Sequence, residues 1–462
     1  MNDMSAGKNI DKSPKGFLFS ELLTSIAERG MSLIDTRRYR REGDTVESLL
    51  KLCGLLLTSK GEASGIAMAR EALALYRKLD EAQKSAFFSG VLERLEGDLD
   101  KAITAAANFV DAPSYTSLAV LNTATRPRCS VLLERLNQAP GGTLSLVRMR
   151  EDLLDAMASD PGLAALDWQF VKLFSAWFNR GFLELRRIDW NAPADLLEKI
   201  MRYEAVHRLD SWDELRRRIL PEDRCLYGFF HPRLEGEPLI FVEVALTDAV
   251  PESIGTILER EREELSADQA TTAVFYSISN CQRGLRGIPL GSFLIKQVVT
   301  DLKSRFARLK TFVTLSPLPA YAEWLKARHE AGELAMPAAC PDWDTFRAAL
   351  DDPASDQNAE ARRFVESTAA YFLSKARNDS GRIVDPVARF HLGNGASLER
   401  VNVLADPSPE AKANALGTMV NYLYAFNRIE ENHEKFVNSG TISTSQRISR
   451  LANAAPMVHD SR

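Results

Sequence analysis

The stretch that most constrains this chain is TTAVFYSIS, a run that predicts a buried strand and passes through three glycines into helical spacing. The segment CQRGLRGIPLGS follows it, and GSFLIKQVVTDLKSRF then predicts a helix. Gly284, Gly287 and Gly291 permit positive φ and close approach of a ligand to the backbone. The start of the following helix offers unpaired N–H groups and the positive end of its dipole. Strand, glycine turn and helix together predict a phosphate site, with Arg283 and Arg286 adding charge beside it. We expect this turn to hold the pyrophosphate of a nucleotide-like ligand. A ligand-free reading stands beside it, in which Gly287 and Pro289 only shape a tight connection. The GxGxxG of a dinucleotide fold and the GK[ST] of a P-loop are both absent.

At 462 residues the chain is too long for one ordinary domain, and 45% apolar residues suffice for two cores. Its net charge of −5 argues against a nucleic-acid surface, so an anionic ligand must meet a local basic patch. The five cysteines are odd in number and form no CxxC, which speaks against a zinc site or a disulfide framework and for a reducing compartment. No run of about 18 apolar residues predicts a membrane span. The first residues hold no apolar signal core, and Asp460-Ser461-Arg462 is not a peroxisomal tripeptide. The expectation is a cytoplasmic protein.

Periodicity divides the chain. Residues 1–15 predict a loose tail. From 16 to 178, FLFSELLTSIAERGMSLI, VESLLKLCGLLL, IAMAREALALYRKL, AFFSGVLERL and LVRMREDLLDAMA carry apolar residues at three- and four-residue spacing. These predict an antiparallel helical bundle. The bundle holds no histidine and no ligand-spaced carboxylates, and we expect it to mediate self-association. The aromatic FVKLFSAWFNRGFLELRRIDW predicts a docking segment between the domains.

From 179 to 462 strands enter. CLYGFFH (225–231), PLIFVEVALT (238–247), TAVFYSIS (272–279) and TFVTL (311–315) read as strands, as do VARFHLGNG and ASLERVNVL around a Gly393-Asn394-Gly395 turn. Helices are expected at ADLLEKIMRYEAVH, after the Ser211-Trp212-Asp213-Glu214 capping pattern, at SIGTILEREREEL, PAYAEWLKARHE, EAKANALGTMVNYLYAF and SQRISRLAN. Residues 340–376 read as a helical insertion of unassigned role.

This order, with a binding turn after the third long strand, resembles the GNAT acyltransferase fold. YSISNCQRGLRGIPLGSFLIKQVV, TLSPLPAYAEWL, PVARFHLGNGA, RVNVLADPS and GTMVNYLY resemble the malonyl-CoA decarboxylase family more closely. The likeness spans about residues 170–426, and FNRGFLELRRIDWNAPADLLEKI and EAVHRLDSWDELRRRI extend it upstream. It implies an α+β protein, with an N-terminal all-helical bundle followed by a GNAT-like α/β domain with a central mixed sheet. It further implies conversion of malonyl-CoA to acetyl-CoA and CO2. The thioester is itself the electron sink, so no metal or organic cofactor is expected; coenzyme A is part of the substrate.

The resemblance also assigns roles. Gly284, Arg286, Gly287, Ile288, Pro289, Leu290, Gly291 and Ser292 would bind the coenzyme A portion of malonyl-CoA. Ser316, at the end of TFVTL, would hydrogen-bond the malonyl carboxylate or thioester, whereas from its residues alone it reads first as a helix cap. His391 in FHLGNGA would protonate the enolate carbon or stabilise its oxygen, against a reading as a satisfied core histidine. Asn394 and Tyr424 would line the site, while local pattern reads them as a left-handed turn residue and a core residue. Pro289 departs from the acidic residue that animal members tend to carry. Two other readings remain open: an acyltransferase of the GNAT type that needs an amine acceptor, and a non-catalytic scaffold with a coenzyme A-binding domain.

Overall fold

A computed structural model describes residues 15–31, 45–95, 99–288, 290 and 294–458. By spatial clustering they form two units. The first holds residues up to 184 together with 230–237 and 282–290; the second holds 185–229, 238–281 and 291–462.

The first unit is helical, as its periodicity predicts: α1 (Lys15–Met31), α2 (Thr45–Thr58), α3 (Glu62–Tyr76), α4 (Glu81–Leu95), α5 (Leu99–Asp111), α6 (Tyr115–Ala124), α7 (Arg128–Leu136), α8 (Gly142–Ala156) and α9 (Ala164–Trp177). Leu49, Leu52, Leu56, Phe87, Phe88, Leu132 and Leu146 fill its core. The hairpin α5–α6 differs from the rest, because α5 buries only Ala105 and α6 buries nothing.

The second unit is built on a mixed sheet. Its strands are β1 (Glu184–Ile188), β2 (Arg224–Phe230), β3 (Pro238–Thr247), β4 (Thr272–Asn280), β5 (Thr311–Thr314), the two-residue β6 (Ser316–Pro317), β7 (Ser397–Asn402) and β8 (Met419–Leu423). They run β1-β2-β3-β4-β5, after which β5 and β6 share one edge of β8, and β7 takes the other edge. The helices between them are α10 (Ala194–Tyr203), α11 (Trp212–Ile219), α12 (Gly255–Leu258), α13 (Leu294–Arg305), α14 (Tyr321–Glu330), α15 (Trp343–Asp351), α16 (Asn358–Ser374), α17 (Pro386–Gly393), α18 (Pro409–Ala415), α19 (Ile429–Ser439) and α20 (Gln446–Asn453). Helix α16, from the unassigned segment 340–376, packs on α14, α20 and β7.

The strands β4 and β5 run parallel but pair only from Thr272–Thr311 to Phe275–Thr314. Beyond Phe275, β4 stays bonded to β3 as far as Asn280 while β5 turns away into Ser316. The parallel pair β4 and β5 thus splays apart beyond Phe275.

Three sequence expectations are corrected. VARFHLGNG is not a strand: Asp385 caps the helix α17, its Oδ1 accepting from the Ala388 N–H at 2.7 Å, and Pro386 supplies the preset φ at the first position. EAKANALGTMVNYLYAF is not one helix. Leu416 (φ 52°) and Gly417 (φ 67°) end α18 in the left-handed region, and MVNYL pairs as β8. SIGTILEREREEL yields only the four residues of α12, since its second half lacks an apolar stripe to bury. Among the described residues, no helix is long and apolar enough to cross a membrane.

Candidate active site

Strand geometry selects the side chains that meet at the end of β5. Residues two apart point to one face, so Thr314 and Ser316 share a face, as do Tyr422 and Tyr424 one strand away. The pairing of Ser316 with Val420 puts both sets on the same side. Helix α17 brings His391, in its last turn, against them.

The result is a continuous buried chain of hydrogen bonds. The Tyr424 hydroxyl lies 2.9 Å from His391 Nδ1, and His391 Nε2 lies 3.0 Å from Ser316 Oγ. The Ser316 hydroxyl donates to Thr314 Oγ1 at 2.9 Å. Thr314 Oγ1 also accepts from the Tyr422 backbone N–H at 3.1 Å, which ties the chain to the sheet. The ring of Tyr422 stacks on the imidazole, with centroids 4.6 Å apart and planes 25° apart. Thr314, Ser316, His391, Tyr422 and Tyr424 are all buried.

Burial sets the charge of this cluster. It pushes the His391 imidazole down to about 3, so the ring is neutral near pH 7. It pushes the Tyr422 and Tyr424 phenols well above their usual range. Proton counting then separates the two imidazole tautomers. With Tyr424 donating to Nδ1, the Nε2–H donates to Ser316 and every hydroxyl proton in the chain from Tyr424 to Ser316 finds an acceptor. With the proton on Nδ1, the Tyr424 hydroxyl has no acceptor among the described residues. The geometry favours the tautomer whose Nε2–H faces Ser316.

Nearby groups are under tension. Asp385 Oδ2 is buried without a hydrogen-bond partner among the described residues, and burial raises this carboxyl to about 6 despite the backbone N–H groups that hold its charged form. Asn394 caps α17 with its Nδ2 donating to the Phe390 carbonyl at 2.9 Å, while its Oδ1 is buried and has no hydrogen-bond partner among the described residues. Its φ is −93°; the left-handed residue of this turn is Gly395, at φ 85°, where a Cβ would lie 2.1 Å from the Ile429 carbonyl oxygen.

The glycine turn belongs to the first unit and is held there by α8. Arg150, itself buried and paired with Asp167 at 2.7 Å, donates to the carbonyls of Gly284 and Arg286, both at 2.8 Å. A Cβ on Gly284 would lie 2.0 Å from the Val147 carbonyl oxygen, so packing on α8 demands glycine there. Gly287 has φ 79° and open space around it. Arg283 is paired with Asp155, whereas the exposed Arg286 has no charged partner among the described residues. Ile288 is buried and Leu290 half-buried. Pro289, Gly291 and Ser292 lie outside the described residues.

The structure thus brings Ser316, His391 and Tyr424 into contact, with Asn394 at the end of the same helix. Sequence reasoning missed Thr314 and Tyr422. Thr314 stands two residues before Ser316 in a strand, and that spacing was the available signal. Tyr422 had none once its segment was read as helix.

Comparison with known proteins identifies the family. Residues 181–461 match the family model "Malonyl-CoA decarboxylase C-terminal domain", and residues 96–178 match "Malonyl-CoA decarboxylase N-terminal domain". The mitochondrial malonyl-CoA decarboxylase of Anser anser anser is 33% identical over 351 residues, covering 70% of this chain and 69% of that protein. That of Rattus norvegicus is 33% identical over 356 residues, covering 70% and 71%. The crystal structure of malonyl-CoA decarboxylase from Rhodopseudomonas palustris is 47% identical, with a TM-score of 0.83, and covers 88% of this chain and 99% of its own. That from Agrobacterium vitis is 46% identical with a TM-score of 0.81, covering 87% and 99%. With both family models matched in order along it, the chain belongs to the malonyl-CoA decarboxylase family.

Proposed function

We propose that the chain carries out its family's reaction, decarboxylation of malonyl-CoA to acetyl-CoA and CO2, by hydrogen-bonding catalysis and without a cofactor. The bond from the α-carbon to the carboxylate breaks, and its electron pair enters the thioester as an enolate. CO2 leaves, and the α-carbon takes up one proton, net from water. The observation that carries this reading is the buried chain Tyr424–His391–Ser316–Thr314.

A neutral imidazole is a hydrogen-bond donor rather than an acid of useful strength. This favours His391 as the stabiliser of the enolate oxygen through Nε2–H. Tyr424 fixes that tautomer from the other nitrogen. Ser316 exchanges its bond to Thr314 for one to the malonyl carboxylate or thioester, and no covalent attack is involved. The segment from Gly284 to Ser292 is the coenzyme A cradle, with Arg286 as a cation that has no charged partner among the described residues. Purified protein given malonyl-CoA alone should release CO2 and form acetyl-CoA. Turnover only with an added amine acceptor would replace this reading with acyl transfer, and no turnover at all would end it.

The same proposal takes residues 16–178 as an oligomerisation domain and 179–462 as the catalytic domain. Ile103, Val110, Tyr115 and Val120 on α5–α6 are exposed apolar residues, a face suited to a second copy of the chain. Placement in the cytoplasm is part of this reading and is supported by five buried thiols, though the goose and rat relatives are named as mitochondrial.

A further inference from the structure

The opposite face of the same sheet carries a second polar assembly that the decarboxylation chemistry does not use. Phe275 and Tyr276 are consecutive in β4 and point to opposite faces. Phe275 meets Tyr424, with centroids 6.0 Å apart. Tyr276 packs instead with Val313 and Leu315, the alternates of Thr314 and Ser316, and faces the charges of Glu243, Arg218 and Arg224.

Outside this buried layer lies a pocket of about 130 Å³, walled by Arg217 and Arg218 of α11, Arg224 of β2, and Arg260 and Arg262 of the segment after α12. The guanidinium groups divide into fixed and free. Arg218 is saturated by Glu214 at 2.9 Å, Glu243 at 3.3 Å and the His207 carbonyl at 2.7 Å. Arg224 and Arg262 share one buried carboxylate, Asp223, with Arg262 bidentate at 2.5 and 2.9 Å and Arg224 at 3.3 Å. Half-buried Arg217 and exposed Arg260 have no acidic partner among the described residues. The remaining glutamates of the wall, Glu259 and Glu264, are exposed, and neither bonds to these arginines. The five arginines are matched in number by Glu214, Glu243, Asp223, Glu259 and Glu264, but two of these carboxylates fall on Arg218 and two stand exposed, so Arg217 and Arg260 keep guanidinium donors at the pocket wall that no carboxylate among the described residues engages. Guanidinium donors without a partner in a partly desolvated space gain from an anion that joins them. Guanidinium donors match oxygens of phosphate or carboxylate in pairs. A volume of about 130 Å³ admits several waters or one compact anion.

We propose that this arginine-walled pocket binds a small multivalent oxyanion at a site separate from Ser316 and His391. Arg224 and Arg262 form its fixed floor, and Arg217 and Arg260 close on the ligand. Phosphate esters and polycarboxylates share the required chemistry of adjacent anionic oxygens.

Calorimetric titration of the full-length chain tests this, with pyrophosphate and citrate as separate probes and saturating coenzyme A present to occupy the substrate site. One saturable site per chain is expected for at least one probe, and which probe binds tells a phosphate from a carboxylate ligand. The double variant Arg217→Gln, Arg260→Gln should bind at least tenfold more weakly, while malonyl-CoA turnover without probe stays as in the parent. The single variant Arg260→Gln, at an exposed residue with no charged partner, should lose at least threefold and keeps the test open if the double variant misfolds. No saturable binding of either probe to the parent chain in the presence of coenzyme A overturns the proposal. Unchanged affinity in the variants overturns it equally.

Discussion

Two polar assemblies occupy opposite faces of the strands β4 and β5, and they solve burial in opposite ways. The Phe275 face holds Ser316, His391, Tyr422 and Tyr424 without a formal charge, because burial keeps the imidazole neutral and the phenols protonated. The Tyr276 face holds Arg218, Glu243, Glu204 and Arg224, tied by ion pairs and by bonds such as Ser277 to Glu204 at 2.7 Å, with Glu243 Oε1 buried and without a hydrogen-bond partner among the described residues. A neutral chain of dipoles is suited to receive a charge that develops during a reaction. A network already charged is committed to the structure it stabilises, except where Arg217 and Arg260 stand without a carboxylate partner among the described residues. One β-strand, by alternating its side chains, separates a reactive environment from an ionic one by the thickness of a sheet.

The contrast is broken most strongly by removing Arg218. Arg218→Met leaves Glu243 buried without its cation and should destabilise the fold by about 3–5 kcal/mol, read by denaturant unfolding. Adding Glu243→Gln should recover part of that loss; full additivity of the two would show that they are not a pair. His391→Ala and Ser316→Ala should lower kcat by about 10²-fold or more, a loss of about 2.7 kcal/mol of transition-state stabilisation. A near-parental rate in either removes that residue from the chemistry. Tyr424→Phe deletes the bond that fixes the imidazole tautomer, and should lower kcat about tenfold with little change in KM. A change in KM alone would make Tyr424 a binding residue only.

The smallest and most diagnostic effect is the sign of the pH dependence. His391 has a folded value of about 3 against about 6.5 unfolded, so between those values the unfolded chain binds more protons. Its contribution to stability is present above pH 6.5 and is lost as pH falls toward 3. Burial, then the charge of Glu204, raises Glu243 to about 7, against the pull of Arg218. From about pH 4.5 to 7 the folded chain is the one that holds more protons there, and the contribution of Glu243 is lost as pH rises. Unfolding midpoints of His391→Gln and Glu243→Gln, each compared with the parent across pH 4–8, should therefore diverge with opposite slopes. Parallel slopes would mean that the two faces share one electrostatic character.

Legibility followed the strength of local pattern. PLIFVEVALT is the strand β3 with the same ends, because eight apolar or β-favouring residues, interrupted only by Glu243, run from Pro238 to Asp248 and leave little choice. The helical unit was equally plain from its spacing. Errors fell at the site itself, where two segments mix aromatic and polar residues. Asp385-Pro386 was a capping signal overlooked beside an apolar FHL, and Leu416-Gly417 a stop overlooked inside an apolar run. The residues Ser316 and His391 came from family resemblance, not from pattern. Nothing local announces that residues 75 apart will meet at 3.0 Å. Thr314 and the stacked Tyr422 became visible only once the register of β5, β6 and β8 was known.

The clamp of Arg150 on the glycine turn bears on how this chain tolerates being shortened. A fragment beginning near residue 179 would keep Gly284 and Arg286 yet lose the guanidinium that holds both their carbonyls. It would lose Val147 as well, whose carbonyl is the reason position 284 admits no side chain. Deleting a helical region that contains no histidine would thus unmoor a segment more than a hundred residues downstream. The first unit is a template on which part of the later sequence takes its shape, and the two halves of this chain are not interchangeable parts.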